Sequence, residues 1–238
     1  MTNIYIVRHG ETDLNVAYRY IGSTDQPLNE RGCRQAACLR KPFSKIHLDT
    51  IYASPLQRTM MTAEQVKGDK DIPIITISDL REIQCGDWET LNREEIEAKW
   101  PGMINLWQFE PEKLKMPGKD GESFVEVQKR SYAAFIDLVR TNEGRDIAVV
   151  SHMLPIKLVI AKLFGIPIHD IWRMSQLENT SITHLSFLDA HRFRILSWGL
   201  DSHLTPDLKN ADVKIAGFTD NGSVLYDMNH MAGVHFVE

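Results

Sequence analysis

The chain begins with the apolar run Ile4-Tyr5-Ile6-Val7, which is followed directly by Arg8-His9-Gly10-Glu11-Thr12. The apolar run is too short for a helix and is rich in strand-forming side chains. Its unbroken apolarity is typical of a strand covered on both faces, as in a parallel sheet. Gly10 lets another part of the backbone approach closely, because it has no side chain. This stretch therefore predicts a buried strand that delivers Arg8 and His9 to one edge of a sheet.

Three further short runs resemble the first, and longer amphipathic segments alternate with them. The runs predict strands at 50–53, 74–77 and 147–150, and the longer segments predict helices at 29–43, 55–67, 123–141 and 154–164. Ser54 is the predicted N-cap of the second helix, with Pro55 at its first position and Arg58 on its first turn. Segments 181–188 and 193–198 predict a hairpin. This order predicts an α/β fold with a mostly parallel sheet and an antiparallel edge.

Two regions depart from this alternation. Residues 91–121 contain Trp100, Trp107 and Phe109 among Pro, Gly and charged residues, and we expect a helical cap. Packing inside the cap explains these aromatic residues more readily than a lid over a ligand does. Beyond residue 200, strand-like pieces at 213–218 and 223–226 stand among glycines. We therefore expect one domain over 1–200, with the cap inserted at about 91–121, and an extension of unassigned role over 201–238.

Composition restricts the class of protein. The 238 residues are 43% hydrophobic and 25% charged, with a formal net charge of −5, which argues against a general nucleic-acid binder. The cysteines Cys33, Cys38 and Cys85 form no Cys-x-x-Cys pair, which favours a reducing compartment. No apolar run is long enough to span a membrane, and the first residues lack the pattern of a signal peptide. We expect a cytoplasmic protein that binds neither membranes nor nucleic acid.

The polar residues that follow the predicted strands belong to one chemistry. Ligands of open parallel sheets bind beyond the carboxyl ends of the strands, where Arg8, His9, Arg58 and His152 are expected to meet. The segment after the third strand can add the carboxyl group of Glu82. Guanidinium groups suit phosphate oxygens, an imidazole can form a covalent intermediate, and a carboxyl group can protonate a leaving oxygen. The set indicates phosphoryl transfer through a phosphohistidine, with fixed positive charge where a metal would otherwise stand.

Other phosphate and hydrolase chemistries lack their motifs. A cysteine phosphatase needs Cys-x5-Arg, and the positions six residues after the three cysteines are Leu39, Ser44 and Leu91. The chain has no Gly-x-Ser-x-Gly elbow, no Gly-x4-Gly-Lys phosphate loop and no His-Glu-x-x-His metal site. We therefore expect neither a catalytic metal nor a cofactor.

Several motifs in a fixed order resemble a known family. The matching stretches are Val7-Arg8-His9-Gly10-Glu11-Thr12 with Asn15, Gly22-Ser23-Thr24-Asp25-Gln26-Pro27-Leu28 with Gly32, Ser54-Pro55-Leu56-Gln57-Arg58-Thr59, Glu82 with Gly86, Trp88 and Glu89, Pro117 with Gly121-Glu122-Ser123, and Ser151-His152. Over roughly residues 3–199 the sequence resembles the histidine phosphatase superfamily, which has the phosphoglycerate mutase-like fold. The resemblance implies a three-layer α/β/α sandwich with a small helical cap.

The resemblance also implies roles for individual residues. His9 is the implied nucleophile and Glu82 the implied proton donor to the leaving group. The implied electrostatic cradle is Arg8, Arg58 and His152, and the implied further phosphate or substrate contacts are Asn15, Gly22 and Ser23. The sequence departs from the family pattern at Met153, where the family usually has Gly, and at Thr90, where a Trp-Glu-Gly stretch usually ends in Gly.

Within that family the sequence favours the phosphatase branch. Gly86-Asp87-Trp88-Glu89 resembles the phosphatases, and residues 81–92 lack the Glu-Arg-His-Tyr-Gly pattern of the cofactor-dependent mutases. We expect a metal-independent phosphatase that acts on a small phosphorylated substrate, and the sequence is compatible with a homodimer. A cofactor-dependent phosphoglycerate mutase and a non-catalytic scaffold on the same fold are the alternatives. Sugar phosphates, phosphoglycerates, nucleotides and phosphoproteins all remain open as substrates.

Overall fold

The computed structural model describes residues 1–210, in which six strands form a single sheet. The predicted strands at 213–218 and 223–226 lie outside the described residues. The six strands are β1 (Thr2–Arg8), β2 (Thr50–Ala53), β3 (Ile74–Thr76), β4 (Asp146–Ser151), β5 (Ile182–Phe187) and β6 (Phe193–Leu200). Their order is β3-β2-β4-β1-β5-β6, with the first four parallel and the last two antiparallel. The predicted parallel sheet with an antiparallel edge is confirmed.

Helices cover both faces of this sheet. They are α1 (Asp13–Val16), α2 (Glu30–Cys38), α3 (Arg40–Phe43), α4 (Gln57–Lys67), α5 (Arg93–Lys99), α6 (Met103–Phe109), α7 (Phe124–Thr141) and α8 (Met153–Phe164). Ile4 and Ile6 of β1 pack with residues of α7 and α8, whereas Val7 packs with residues of α3 and α4 on the other face. The fold is the expected three-layer α/β/α sandwich, because each buried strand presents apolar side chains to both helical layers.

Two predicted helix boundaries are wrong for local reasons. The predicted helix at 29–43 is divided into α2 and α3 at Leu39, because Pro42 has no N–H to bond to the carbonyl four residues earlier. Helix α4 begins at Gln57 rather than at Pro55, and Ser54 does not cap it. The Gln57 N–H instead donates to Asp25 Oδ1 at 2.8 Å. Arg58 still lies on the first turn, as predicted.

The predicted cap is helical, and its buried apolar side chains share one core with α7 and α8. Helices α5 and α6 lie in this region, and Trp107 is in ring contact with Tyr20, Trp88, Phe124 and Trp172. Phe109, by contrast, is 55% exposed. Trp107 therefore joins the cap to aromatic side chains outside it, including Phe124 at the start of α7.

Residues 201–210 pack against earlier parts of the chain. Leu204 and Leu208 are buried, and Gln35 of α2 donates to the Leu208 carbonyl at 2.8 Å. The Asn210 N–H donates to Glu178 Oε2, also at 2.8 Å. Among the described residues no helix has the length and apolarity needed to cross a membrane.

Candidate active site

His9 lies immediately beyond the end of β1 and is held by its backbone. Its N–H donates to the Ser151 carbonyl at 3.0 Å, and its own carbonyl accepts from Asn179 Nδ2 at 2.9 Å. Its ring nitrogen Nδ1 lies 2.6 Å from the Gly10 carbonyl oxygen. Because a carbonyl can only accept, Nδ1 carries the proton and the lone pair is on Nε2. The His9 side chain is thus set in the tautomer in which Nε2 carries the lone pair and can act as a nucleophile.

Electrostatics keep His9 neutral. Burial, followed by the positive charges of Arg58 and Arg8, holds the pKa of His9 well below its usual value. The residue is only 4% exposed. A neutral imidazole retains its nucleophilic lone pair, so His9 needs no separate base to activate it at neutral pH.

Arg8 supplies positive charge beneath His9. One of its terminal nitrogens donates to the Leu177 carbonyl, whereas its Nε is buried without a hydrogen-bond partner. Burial lowers the pKa of Arg8, and the nearby carboxylates of Glu178 and Glu82 act in the opposite direction. A guanidinium group remains charged at any working pH in spite of such a shift.

Arg58 and His152 form one hydrogen-bonded unit. Arg58 donates from Nε to His152 Nδ1 at 3.2 Å, and its terminal nitrogens donate to the carbonyls of Gly22 and Thr24, each at 3.0 Å. Since Nδ1 accepts, His152 Nε2 carries the proton and donates to Ser54 Oγ at 2.8 Å. The Ser54 hydroxyl therefore binds His152 and does not form the predicted cap of α4.

His152 is a neutral ring in this arrangement. Burial, with Arg58 as the next cause, holds its pKa well below the usual value, and the ring is fully buried. Its centroid lies 5.1 Å from that of His9 in an edge-to-face contact. The cradle thus contains two cations, Arg8 and Arg58. His152 acts on it by orienting Arg58 and by packing against the His9 ring, and does not add a positive charge of its own.

Glu82 follows β3, and its carboxyl group meets the first turn of α8, two residues after His152. Its Oε2 accepts from the Leu154 N–H, on the first turn of α8, at 3.5 Å, and its Oε1 accepts from the Ile83 N–H at 2.9 Å. Burial raises the pKa of Glu82, although these hydrogen bonds and Arg58 work against the rise. A carboxyl group with a raised pKa stays protonated to a higher pH, which suits it to donate a proton.

The other three predicted contacts have partners within the protein. The N–H groups of Gly22 and Ser23 donate to the Glu89 carboxylate, at 3.1 Å and 2.7 Å, instead of pointing to an open anion site. Asn15 forms a capping box with Thr12, in which its Oδ1 accepts from the Thr12 N–H at 3.1 Å. Gly22 still reaches the cradle through its carbonyl, which accepts from Arg58. Phosphate contacts by Gly22 and Ser23 would require this arrangement to change.

Glu89 accepts hydrogen bonds from several parts of the chain. Six donor groups converge on its carboxylate: the N–H groups of Gly22, Ser23, Thr24 and Cys85 and the hydroxyls of Ser23 and Thr24. Gly22 is required there, because a Cβ at this position would lie 2.0 Å from the Ile83 carbonyl oxygen. The role of Glu89 is therefore to shape the turn at 22–24, whose carbonyls hold Arg58.

Sequence reasoning missed several residues that support the site. Thr62 accepts from the Gly10 N–H at 3.0 Å, and Asn179 donates to the His9 carbonyl. Arg130, on α7, bonds to the loop that carries Glu82. Only the acidic partner of Arg130, Glu122, lay within a recognisable motif. No group of three or more His, Cys, Asp or Glu side chains within residues 1–210 has the geometry of a metal site.

Comparison with known proteins identifies a family. A sequence profile of the histidine phosphatase superfamily, branch 1, matches residues 4–229. The chain is 32% identical over 204 residues to phosphoserine phosphatase 1 of Hydrogenobacter thermophilus. The alignment covers 86% of this chain and 95% of that protein. It is 30% identical over 190 residues to the probable phosphoglycerate mutase GpmB of Enterobacter sp. (strain 638). That alignment covers 80% of this chain and 87% of that protein.

The structure of this chain is similar to solved structures of other proteins. Bacillus stearothermophilus YhfR superposes with a TM-score of 0.80 at 33% sequence identity. The superposition covers 85% of this chain and 99% of that chain.

Proposed function

The chain belongs to the histidine phosphatase superfamily, and on that premise we propose that it hydrolyses phosphomonoesters through a phosphohistidine on His9. The observation that carries the proposal is the fixed tautomer of His9. Its Nδ1 proton is bound to the Gly10 carbonyl, so the Nε2 lone pair is available beside Arg8 and Arg58. The partnerless Nε–H of Arg8 supports an oxyanion at this place, because a phosphate oxygen would supply the missing acceptor.

The reaction has two steps. In the first step His9 Nε2 attacks phosphorus, the bond from phosphorus to the ester oxygen breaks, and Glu82 gives its proton to the leaving oxygen. In the second step water attacks phosphorus and loses a proton to the Glu82 carboxylate. The bond from Nε2 to phosphorus then breaks, which returns free His9 and inorganic phosphate. Arg8 and Arg58 stabilise the charge on the phosphoryl oxygens in both steps.

The substrate class is a small phosphorylated metabolite. Phosphoserine is the first compound to test, because a relative with 32% identity carries that specificity in its name. The two buried guanidinium groups can neutralise a phosphate dianion without a metal ion. We therefore expect full activity after exhaustive treatment with EDTA, and a strict need for added Mg²⁺, Mn²⁺ or Zn²⁺ would contradict this part of the proposal.

The nucleophile is tested by trapping the phosphoenzyme. Rapid quenching of a turnover mixture that contains a ³²P-labelled substrate should give protein-bound phosphate that is labile in acid and stable in base. The variant His9→Ala should give none and should lose several orders of magnitude in turnover, with an unchanged circular dichroism spectrum. If the wild-type enzyme turns over without a labelled intermediate, the assignment of His9 as the nucleophile is wrong.

A mutase is the second candidate, because the chain is also 30% identical to a probable phosphoglycerate mutase. An assay on one preparation separates the two activities. The enzyme is supplied with 3-phosphoglycerate and 2,3-bisphosphoglycerate, and both phosphate release and formation of 2-phosphoglycerate are followed. We expect phosphate release to dominate. Faster mutase turnover would overturn the proposal of a hydrolase while keeping the phosphohistidine.

A further inference from the structure

We propose that Arg130, together with Glu122, is a positioning residue that holds the general acid Glu82 at its working place. The role of Glu82 in this inference rests on the proposed function. The contacts of Arg130 and Glu122 with the segment around Glu82, here called the brace, are independent of it. Glu82 lies in the segment 79–84, which belongs neither to the sheet nor to an α-helix. Such a segment needs side-chain partners to keep its backbone in one position.

All five N–H groups of the Arg130 guanidinium are engaged. One terminal nitrogen donates to the carbonyls of Asp79 and Arg81, at 2.7 Å and 2.8 Å. The other donates to the Glu82 carbonyl at 2.9 Å. The remaining two N–H groups form a fork with Glu122, from Nε to Oε1 at 2.7 Å and from the terminal nitrogen to Oε2 at 2.8 Å. The guanidinium thus uses its complete donor set, and three of its five acceptors are carbonyls of the segment that carries the acid.

Glu122 binds the same segment from its other end. Its Oε2 accepts from the Gln84 N–H at 2.9 Å, and its own N–H donates to the Gln84 carbonyl at 3.0 Å. The pair is largely sheltered, since the Arg130 and Glu122 side chains are 16% and 19% exposed. The backbone is therefore held on both sides of the Glu82 side chain. Arg130 binds the carbonyls up to Glu82, and Glu122 binds Gln84.

The brace connects the acid to the helical layer. Arg130 belongs to α7, which packs against α8, and α8 supplies the Leu154 N–H that binds the Glu82 carboxylate. A general acid works only within hydrogen-bond reach of the leaving oxygen, and a displacement of about 1 Å is enough to cost roughly a hundredfold in rate. Lysine keeps the charge of Arg130 but lacks its planar fork, so Arg130→Lys separates positioning from electrostatics.

The kinetic test compares two leaving groups. On phosphoserine, whose alkoxide leaves poorly, we expect Arg130→Lys to lower kcat by about a hundredfold with little change in KM. On p-nitrophenyl phosphate, which needs little protonation, kcat should fall by less than about threefold. In a Glu82→Gln background, Arg130→Lys should add no further loss, because Arg130 acts through Glu82. Arg192→Lys, which alters an exposed pair with Asp189 in the hairpin turn, is the matched control.

A second measurement is independent of turnover. Hydrogen–deuterium exchange of the segment 79–84 should become about tenfold faster in Arg130→Lys and in Glu122→Gln, and should be unchanged in Arg192→Lys. Equal losses of kcat on the two substrates, additivity with Glu82→Gln, or unchanged exchange would each overturn the positioning role. If the wild-type enzyme hydrolyses neither substrate, the proposed function fails, and the exchange data still decide whether Arg130 holds the segment.

Discussion

At the scale of the residue, we expect Glu82 and His9 to determine how the proposed reaction responds to pH. Burial raises the pKa of Glu82 and lowers that of His9 well below its usual value. Glu82 must be protonated to act as an acid, so activity falls as pH rises through its raised pKa. His9 must be neutral, so its contribution is lost only when pH falls through its lowered pKa. The expected profile is high in the acid range and declines on the alkaline side.

Removal of the carboxyl group tests this assignment. Glu82→Gln should flatten the alkaline decline of kcat/KM and should cost about a hundredfold on phosphoserine, which needs protonation of its leaving group. Because the substrate phosphate itself titrates near pH 6, the wild type and the variant are compared at each pH on the same substrate. An alkaline decline that persists in Glu82→Gln would show that another group supplies the proton.

At the scale of the element, the turn at 22–24 is a bridge between Glu89 and Arg58. Its N–H groups face the Glu89 carboxylate and its carbonyls face Arg58, so a change on one side moves the other. Glu89→Gln replaces an oxygen acceptor with an amide that points toward N–H donors. We expect the free energy of unfolding to fall by about 2 kcal/mol, because charge-assisted hydrogen bonds are lost.

The kinetic consequence of Glu89→Gln differs from that of Glu82→Gln. Displacement of Arg58 should raise KM for phosphoserine and for p-nitrophenyl phosphate by the same factor, since both present the same phosphate group. Thermal denaturation and steady-state kinetics measure the two effects, and Glu64→Gln, at an exposed position of α4, is the control. A loss confined to phosphoserine would instead identify Glu89 as a proton donor.

At the scale of the whole molecule, Lys157 makes stability depend on pH. It is fully buried in α8, donates to the Met174 carbonyl at 3.0 Å and lies 5.2 Å from the centroid of the Trp172 ring. Burial, with a smaller effect of Arg8, lowers the pKa of Lys157 from 10.5 to about 7. The unfolded chain therefore binds a proton that the native protein does not bind between these two values. The free energy of unfolding is expected to rise with pH across that interval. Below it, the native protein is destabilised by the full cost of burying the Lys157 ammonium group.

The prediction is a difference between two lysines of the same helix. In Lys157→Met the pH-dependent penalty disappears. The free energy of unfolding of the variant minus that of wild type should therefore be about 4 kcal/mol larger at pH 6 than at pH 10, which means that the variant gains stability at pH 6. Lys162→Met, at an exposed position, should show no such slope. Urea titrations at several pH values measure both. A flat difference for Lys157→Met would mean that the lysine is charged in the native state throughout.

The sequence by itself determined the features that depend on neighbouring residues. The apolar run before Arg8 and His9 predicted β1, and Ser123 with Glu126 three residues later forms the capping box that begins α7. Strand order then explains why Arg8, His9, Arg58 and His152 meet, because parallel strands end at the same edge. Apolar periodicity, helix caps and strand ends act over a few residues, and a single sequence displays them directly.

Only the tertiary structure decided which partner each polar group finds. Ser54 looked like a helix cap, but its hydroxyl accepts from Nε2 of His152, 98 residues away. Gly22 and Ser23 looked like a phosphate turn, yet their N–H groups bind Glu89. Arg130 meets the carbonyls of residues 48 to 51 positions earlier in the chain. The reason is physical: buried donors and acceptors pair with whatever the packed layers bring within about 3 Å, and no local pattern records that distance.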